Sequence, residues 1–274
     1  MKKYFFCFLF TLFIGITEIM AAHVQSLKTY SKCMNKEIPV VIITPDNYSV
    51  QNKFPVLYLL HGYSGNYNDW IKKVPEIKRY ADMYGFLIVC PDGNFSSWYM
   101  DSPIDSSFRY ETYTSKELPQ WIDSHFSTIA SRNGRAITGL SMGGHGALYL
   151  AFRHQDIFGA AGSMSGGLDL RPFPKSWDIS KKLGTYAKHP ENWEKNSVIN
   201  LVYMLTPGSL QITFDCGIND QFYKVNCNLH KKLLERNISH DFTVRPGGHT
   251  WAYWKNSIAF QTVFFHHFFE QKKN

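Results

Sequence analysis

The chain has 274 residues, of which 44% are hydrophobic, 19% charged and 16% aromatic, a composition that fits a globular protein of enzyme size and excludes a disordered or fibrous one. The formal net charge is +7, but no run of basic residues concentrates it, so the charge does not indicate nucleic-acid binding. At this length the chain can form one α/β domain or two smaller domains.

The first residues have the pattern of a secretory signal peptide. Lys2 and Lys3 precede an apolar stretch, residues 4–16, and small residues ending at Ala22 supply a cleavage site. The apolar stretch ends before Glu18 and is shorter than the roughly 20 residues that a membrane-spanning helix needs. The pattern therefore predicts that residues 1–22 are removed and that the mature protein is secreted or periplasmic, with no stable membrane span.

Strands and helices are predicted to alternate through the rest of the chain. The expected strands are residues 37–44, 54–60, 86–90, 135–138, 160–163, 210–215 and 241–244. The expected helices are residues 74–84, 110–126 with a kink or break at Pro119, 143–153, 222–236 and 251–269.

This alternation predicts the fold. Strands separated by helices are joined by right-handed crossovers, which give a mainly parallel sheet with helices on both faces. One α/β domain accounts for residues 23–274. Residues 166–207 are rich in Pro, Lys and Trp and lack periodicity, so we expect an insertion over the active-site end of the sheet.

Four cysteines remain after removal of the signal peptide: Cys33, Cys90, Cys216 and Cys227. An even number in an exported chain permits disulfide bonds but does not show which residues pair. Four reduced and mostly buried thiols fit the sequence equally well.

A Gly-x-Ser-x-Gly pentapeptide, residues 139–143, is the strongest functional signal. It lies between a predicted strand and a predicted helix, which is the context of a nucleophile elbow, a tight turn that exposes the serine hydroxyl at the end of a sheet. The flanking glycines avoid clashes, and the positive N-terminal end of the helix points at the hydroxyl. The motif predicts Ser141 as a nucleophile.

A serine nucleophile requires a general base, which in this fold follows the acid in chain order. Among 11 histidines, His249 is favoured because its Gly-Gly-His loop precedes the last predicted helix and can return over the elbow. His189 and His240 lie in or beside loops, and their spacing does not exclude them.

The acid is expected in the loop after residues 210–215. Asp220 is favoured because it lies beyond the end of the strand, where it can turn towards the histidine. Asp215 is interpreted as a strand-end residue that bonds nearby backbone. Asp241 begins a strand at the wrong edge of the sheet for this role.

Backbone N–H groups are expected to stabilise the oxyanion that forms when the serine attacks. Met142 follows the nucleophile and supplies one donor. An early strand runs into His61 and Gly62, a turn whose next N–H belongs to Tyr63. No metal-ligand pattern is present in the sequence, and the predicted chemistry requires neither a metal nor a cofactor.

These motifs resemble the esterase D, or putative-esterase, branch of the α/β-hydrolases, which includes feruloyl esterases, tributyrin esterases, S-formylglutathione hydrolases and the mycolyltransferases of the antigen 85 complex. The resemblance runs through nearly the whole mature chain and rests on residues 60–62, 91–93, 97–99, 110–113, 117–119, 139–144, 215–220 and 248–249, with Trp251 and Trp254. It implies the α/β-hydrolase fold, the triad Ser141, Asp220 and His249, and the oxyanion donors Tyr63 and Met142. A formylglutathione hydrolase would be cytosolic and would carry a cysteine where this chain has Ser64.

Trp98, Tyr99 and Trp254 fall near the predicted active-site loops and are candidate substrate contacts. We expect a secreted serine carboxylesterase that forms an acyl-enzyme and acts on feruloyl, acetyl or short-chain acyl esters of small molecules or polysaccharides. Two alternatives are an acyltransferase of the mycolyltransferase type and a non-catalytic carbohydrate-binding relative.

Overall fold

The computed structural model describes residues 22–271, so the expected signal peptide lies outside the described residues apart from Ala22. The strands are β1 (His23–Ser31), β2 (Lys36–Thr44), β3 (Val56–Leu60), β4 (Leu87–Pro91), β5 (Arg135–Gly139), β6 (Ala160–Met164), β7 (Gln211–Gly217) and β8 (Asp241–Arg245). They form one 8-stranded sheet in the order β1-β2-β4-β3-β5-β6-β7-β8. The β1–β2 and β2–β4 pairs are antiparallel and the others are parallel, which confirms the predicted, mainly parallel sheet.

Helices cover both faces of this sheet. They are α1 (Asp69–Lys73), α2 (Ile77–Tyr84), α3 (Tyr110–Thr112), α4 (Leu118–His125), α5 (Met142–Arg153), α6 (Ile179–Leu183), α7 (Pro190–Asn196), α8 (Tyr223–Glu235) and α9 (Trp251–Gln271). A π-helical turn, Tyr113–Glu117, joins α3 to α4, and a 3₁₀ turn, Val198–Met204, follows α7. The segment 166–207 thus contains α6, α7 and this 3₁₀ turn.

Alternating side chains of the central strands divide the apolar interior into two cores. In β3, Tyr58 and Leu60 pack with residues of α4, α5 and α8, whereas Leu57 and Leu59 pack with residues of α2 and α9. Successive side chains of a strand point to opposite faces. A strand buried on both faces therefore reads as a continuous apolar run, as β3 does.

Two elements differ from the sequence expectation. The sequence did not indicate β1, which pairs antiparallel with β2 along its whole length at one edge of the sheet. In the helical region 110–126, the irregular turn precedes Pro119 and consists of the π-helical residues. Proline has no N–H to donate to the carbonyl of Ser115, so the α-helical hydrogen bond is absent at this point, and the wider π-helical turn lies immediately before it.

The cysteine side chains Cys33, Cys90, Cys216 and Cys227 are all free thiols. Among residues 22–271, no helix is both long enough and apolar enough to cross a lipid bilayer. The same residues contain no group of three or more His, Cys, Asp or Glu side chains arranged to hold a metal ion.

Candidate active site

Ser141 lies in a tight turn between β5 and α5. Its backbone has φ 56° and ψ −115°, a region that non-glycine residues adopt only where the surrounding structure enforces it. A Cβ atom at Gly143 would lie 2.5 Å from the carbonyl oxygen of His61, and one at Gly139 would lie 2.7 Å from the backbone of Gly143. Glycine is therefore required on both sides of the serine.

Three side chains from separate loops form a hydrogen-bonded chain. The hydroxyl of Ser141 lies 2.8 Å from Nε2 of His249, and Nδ1 of His249 lies 2.9 Å from Oδ2 of Asp220. A carboxylate can only accept a hydrogen bond, so the Asp220 contact places the imidazole proton on Nδ1. Nε2 is then free to accept the proton of the serine hydroxyl.

Asp220 is held by the loop that follows β7. Its N–H donates to the carbonyl of Gly217 at 3.0 Å, and its Oδ1 accepts the N–H of Phe222 at 2.8 Å. The Asp220 side chain has no solvent exposure. The N–H of Asn219 donates to the carbonyl of Gly247 at 2.9 Å, so the loop carrying the acid and the loop carrying the imidazole are bonded directly to each other.

The alternative residues considered from sequence have other partners. Nε2 of His240 lies 2.8 Å from Nδ1 of His230. Nδ1 of His189 lies 3.7 Å from Glu191 in the segment 166–207. The carboxylate of Asp215 accepts hydrogen bonds from Ser257 and Gln261 of α9, and Asp241 is exposed at the start of β8. The structure brings none of these four residues to Ser141.

The turn after β3 lies against the serine. A Cβ atom at Gly62 would be 3.4 Å from Cβ of Ser141. Two residues after Gly62, the N–H of Ser64 donates to the carbonyl of Phe95 at 2.8 Å. Within residues 22–271, the N–H groups of Tyr63 and Met142 have no hydrogen-bond acceptor. Both are thus available to an oxygen atom bound next to the hydroxyl.

A buried histidine holds this turn in place. Nε2 of His61 accepts the N–H of Gly93 at 2.7 Å, so its proton lies on Nδ1, which donates to the carbonyl of Gly62 at 2.8 Å. Burial lowers the pKa of His61 below its usual value, which keeps the imidazole neutral. The hydroxyl of Tyr99 donates to the carbonyl of His61 at 3.2 Å.

Ser141 opens into a cavity of about 320 Å³. Beyond the serine, His249 and the turn after β3, its wall includes Asp69, Lys73, Trp177, Gln221, Thr250, Trp251 and Trp254. The ring of Trp254 stands edge-on to His249, with 4.8 Å between the ring centroids. Trp251 contributes to the family resemblance but was not expected from the sequence as a substrate contact, although it follows the predicted base by two positions. Trp177 was not singled out from the sequence, because no local pattern connects it to the site.

Nζ of Lys73 lies 4.7 Å from the ring centroid of Trp251 and 3.5 Å from the carboxylate of Asp69. The ammonium group is therefore held over an aromatic face and paired with a negative charge. Both residues come from α1, which begins shortly after the turn that holds Tyr63. The cavity wall consequently combines aromatic surface with a balanced pair of charges.

Two of the three aromatic residues expected to contact substrate do not line the cavity. Trp98 and Tyr99 are 1% and 0% exposed. The indole N–H of Trp98 donates to the carbonyl of Trp177 at 3.1 Å, and the Tyr99 ring fills the space beside Gly93. Sequence could not separate these supporting roles from substrate contact, because burial depends on how distant loops pack over the residues.

A larger cavity of about 710 Å³ surrounds Glu111 and Tyr149, near the far end of α5. Neither Ser141 nor His249 lines it. Ser141 and His249 line the smaller cavity instead.

The arrangement next to Ser141 can carry out acyl transfer. It contains a hydroxyl hydrogen-bonded to an imidazole, a carboxylate hydrogen-bonded to the same imidazole, and two backbone N–H groups in the adjoining turns that have no acceptor among the described residues, which are the parts that this chemistry needs.

Comparisons with known proteins point to esterases. An acetyl esterase of Caldicellulosiruptor saccharolyticus is 28% identical over 258 residues, which cover 86% of this chain and 95% of that protein. An esterase of Mycobacterium tuberculosis is 35% identical over 136 residues, 48% of this chain, and the match spans only 30% of that longer protein. A solved ferulic acid esterase structure superposes with a TM-score of 0.78 at 26% identity, covering 91% of this chain and 99% of that one.

The structural match confirms the α/β-hydrolase fold. The family model described as "Putative esterase" matches residues 31–264, a range that contains Ser141, Asp220 and His249. Because this match covers most of the chain, the protein belongs to the putative esterase family.

Proposed function

We propose that the protein is a serine carboxylic-ester hydrolase with Ser141 as nucleophile, His249 as general base and Asp220 as the acid that orients the base. The observation that carries the proposal is the hydrogen-bonded chain of 2.8 Å between serine and histidine and 2.9 Å between histidine and aspartate. Such a chain satisfies the requirement that the base reach the nucleophile's proton and that a third group fix its tautomer.

In the first half-reaction, Oγ of Ser141 attacks the carbonyl carbon of the ester and its proton moves to Nε2 of His249. The carbonyl oxygen becomes negative and accepts the N–H groups of Tyr63 and Met142. When the tetrahedral intermediate collapses, the bond to the alcohol oxygen breaks and the alcohol takes the proton from Nε2. The product is an acyl-enzyme on Ser141.

In the second half-reaction, water replaces the alcohol. His249 removes a proton from the water molecule while the water oxygen attacks the acyl carbonyl carbon. The same N–H groups stabilise the second oxyanion. The bond to the oxygen of Ser141 then breaks, the serine recovers the proton from Nε2, and the carboxylic acid leaves. The histidine thus acts as base and then as acid in each half-reaction.

The cavity supports small acyl groups on a polar alcohol. A volume of about 320 Å³ lies at the lower end of the range for small-molecule sites. The aromatic wall around Trp254 suits an apolar acyl group or a sugar ring, and acetyl and ferulic acid esters are named for two of the related proteins. We therefore include feruloyl, acetyl and short-chain acyl esters among the substrates, and we propose that the N-terminal pattern directs the protein to a secreted or periplasmic location.

The experiment that tests this function compares Ser141→Ala with Ser165→Ala, a matched control because Ser165 is also buried and has a positive φ of 50°. Purified wild-type protein and both variants are assayed on p-nitrophenyl acetate, butyrate and methyl ferulate. We expect Ser141→Ala to lose at least about 10⁴-fold in kcat and to resist labelling by a fluorophosphonate, with Ser165→Ala unaffected.

Full activity in Ser141→Ala would exclude the proposed nucleophile. Product analysis in the presence of a sugar or lipid alcohol separates hydrolysis from acyl transfer, since an acylated acceptor as the main product would identify a transferase.

Export is tested by expressing the protein with its own N-terminal sequence and measuring the mass of the protein recovered from the culture. An intact Met1 on the recovered protein would contradict removal of the signal peptide.

A further inference from the structure

Strand β8 ends the sheet on the side opposite β1. Within residues 22–271, it pairs only with β7, and its other edge has no partner. Asp241 and Thr243 are exposed, and Val244 is 37% exposed. An open edge of this kind is a template for pairing with another strand, and proteins that remain monomeric usually shield it.

The backbone groups that face this open edge follow from the bonds to β7. The carbonyl of Arg245 accepts the N–H of Ile218 at 3.0 Å, so Arg245 directs its backbone groups towards β7. Because successive residues of a strand direct these groups to opposite sides, Phe242 and Val244 direct their N–H and C=O groups outward. These two residues are the ones that a further strand would bond.

The side chains of β8 divide between the two faces of the sheet. Phe242 packs on the α8 side, with its ring centroid 4.8 Å from that of His230. The guanidinium of Arg245 lies 4.3 Å from the ring centroid of Phe260 in α9. By alternation, Asp241 and Thr243 share the α9 side with Arg245.

The sequence of β8, Asp-Phe-Thr-Val-Arg, is its own complement in an antiparallel pair. With Thr243 on a two-fold axis, Phe242 of one chain lies opposite Val244 of the other, and these are the residues whose backbone groups face outward. In the same register Asp241 lies opposite Arg245, so opposite charges meet on the α9 side. Hydrogen bonding, charge and aromatic–β-branched pairing therefore select the same register.

We propose that β8 is the interface of a homodimer, in which two copies of this chain pair antiparallel through β8 about Thr243 and join their sheets into one. Such a contact is isologous and closes as a two-fold dimer. The partner is a second copy of this chain, because β8 paired antiparallel with itself about Thr243 is complementary in both charge and backbone hydrogen bonding.

The surface next to β8 supports this assembly. Phe260 and Val263 of α9 are 54% and 39% exposed, and both line a groove of about 440 Å³ that Asp241 also borders. Two-fold pairing of β8 brings the two α9 helices together on one face, which would cover these apolar side chains. Exposed apolar patches at a sheet edge are typical of interaction surfaces.

The opposite edge of the sheet lacks these features. β1 carries Lys28 on its exposed part, paired with Glu37 of β2 at 2.8 Å, and edge lysines oppose strand pairing. Antiparallel pairing of two β1 strands about their centre, Leu27, aligns no opposite charges. The β8 edge is also compatible with function, since no residue of β8 lines the cavity at Ser141.

The first experiment measures the mass of the full chain as it is purified, by size-exclusion chromatography with light scattering. Wild-type protein is expected to have twice the mass of one chain. Thr243→Lys places like charges opposite each other at the two-fold axis and is expected to shift the protein to a monomer. Thr243→Val keeps a β-branched side chain and is expected to remain dimeric.

A monomeric wild-type protein at the highest accessible concentration would overturn the proposal, as would a dimer that persists unchanged in Thr243→Lys. Circular dichroism establishes that both variants are folded. A larger mass that contains a different protein would also refute the homodimer and would identify another occupant of the β8 edge.

The second experiment tests the register. In a non-hydrogen-bonded antiparallel pair the Cα atoms are about 4.5 Å apart, within the range of about 4.4–6.8 Å for disulfides. Thr243→Cys should therefore form an intermolecular disulfide on mild oxidation. In the matched variant Asp241→Cys, the two new cysteines would lie roughly 14 Å apart along the strands and should not cross-link. Equal cross-linking of both variants, or of neither, would contradict the register.

Discussion

Asp220→Asn tests whether the buried carboxylate fixes the tautomer of the base. The carboxylate accepts two hydrogen bonds, from Nδ1 of His249 at 2.9 Å and from the N–H of Phe222 at 2.8 Å. An asparagine side chain has only one acceptor oxygen and cannot replace both. If the amide oxygen accepts the N–H of Phe222, the amide N–H₂ group faces the imidazole. The proton of His249 then moves to Nε2, where it prevents proton transfer from the hydroxyl of Ser141.

The size of the loss follows from the competing orientation. Turning the amide so that its oxygen faces His249 leaves the buried N–H of Phe222 unpaired, which costs about 1–3 kcal/mol and lowers the reactive population about 5- to 150-fold. The neutral amide also stabilises the imidazolium less than a carboxylate does, by roughly a further 10- to 100-fold. We expect kcat to fall about 10²- to 10⁴-fold in total, with KM little changed because Asp220 does not line the cavity.

The assay is steady-state hydrolysis of p-nitrophenyl acetate by wild type, Asp220→Asn and Glu235→Gln. The last variant is the matched control, because Glu235 is an exposed carboxylate at the end of α8 and lies outside both the cavity and the β8 edge. Thermal unfolding establishes that each protein is folded. A loss below tenfold in Asp220→Asn, or an equal loss in Glu235→Gln, would refute the proposed role of Asp220.

Two further predictions concern the residues beside the elbow. Gly143→Ala places a Cβ atom 2.5 Å from the carbonyl oxygen of His61, so urea unfolding should show a free energy of unfolding about 1–3 kcal/mol lower; an unchanged midpoint would contradict the tight packing. Burial lowers the pKa of His145 to about 4, whereas the unfolded chain binds this proton below about pH 6.5. The contribution of His145 to the free energy of unfolding is therefore fully present above about pH 6.5. It is lost as the pH falls towards 4, by about 3 kcal/mol in all. Urea unfolding at pH 7 and pH 4.5 should show a smaller difference in His145→Gln, and equal differences in both proteins would exclude His145 as the cause.

The sheet was largely predictable because its strands are local, apolar runs. Local composition predicted strands at residues 86–90 and 160–163, and the structure has β4 and β6 at these positions. β1 was missed because its side chains are mixed in polarity at an exposed edge, and its main support is the pairing with β2. A pairing partner is a property of the fold and leaves little trace in the strand itself.

The candidate site was predictable where function imposes a local motif. The elbow at Ser141 requires glycines at fixed positions, and the loop of His249 stands directly before a helix. The cavity wall was not predictable in the same way. Trp98 and Trp177 are 79 positions apart and meet through a hydrogen bond and a ring contact. Only the tertiary structure shows that Trp177 lines the cavity and that Trp98 does not.

The order in which the chain is synthesised has a consequence for this site. Ser141 and the turn of Tyr63 emerge early, but His249 follows the serine by 108 positions and is positioned by a loop that leads directly into α9. A growing or truncated chain that ends before His249 therefore has the hydroxyl and the proposed oxyanion donors without a proton acceptor, and one that ends before α9 has the imidazole without the helix that follows its loop. Recovery of esterase activity during refolding should accordingly report the docking of the C-terminal helix, even when the sheet has already assembled.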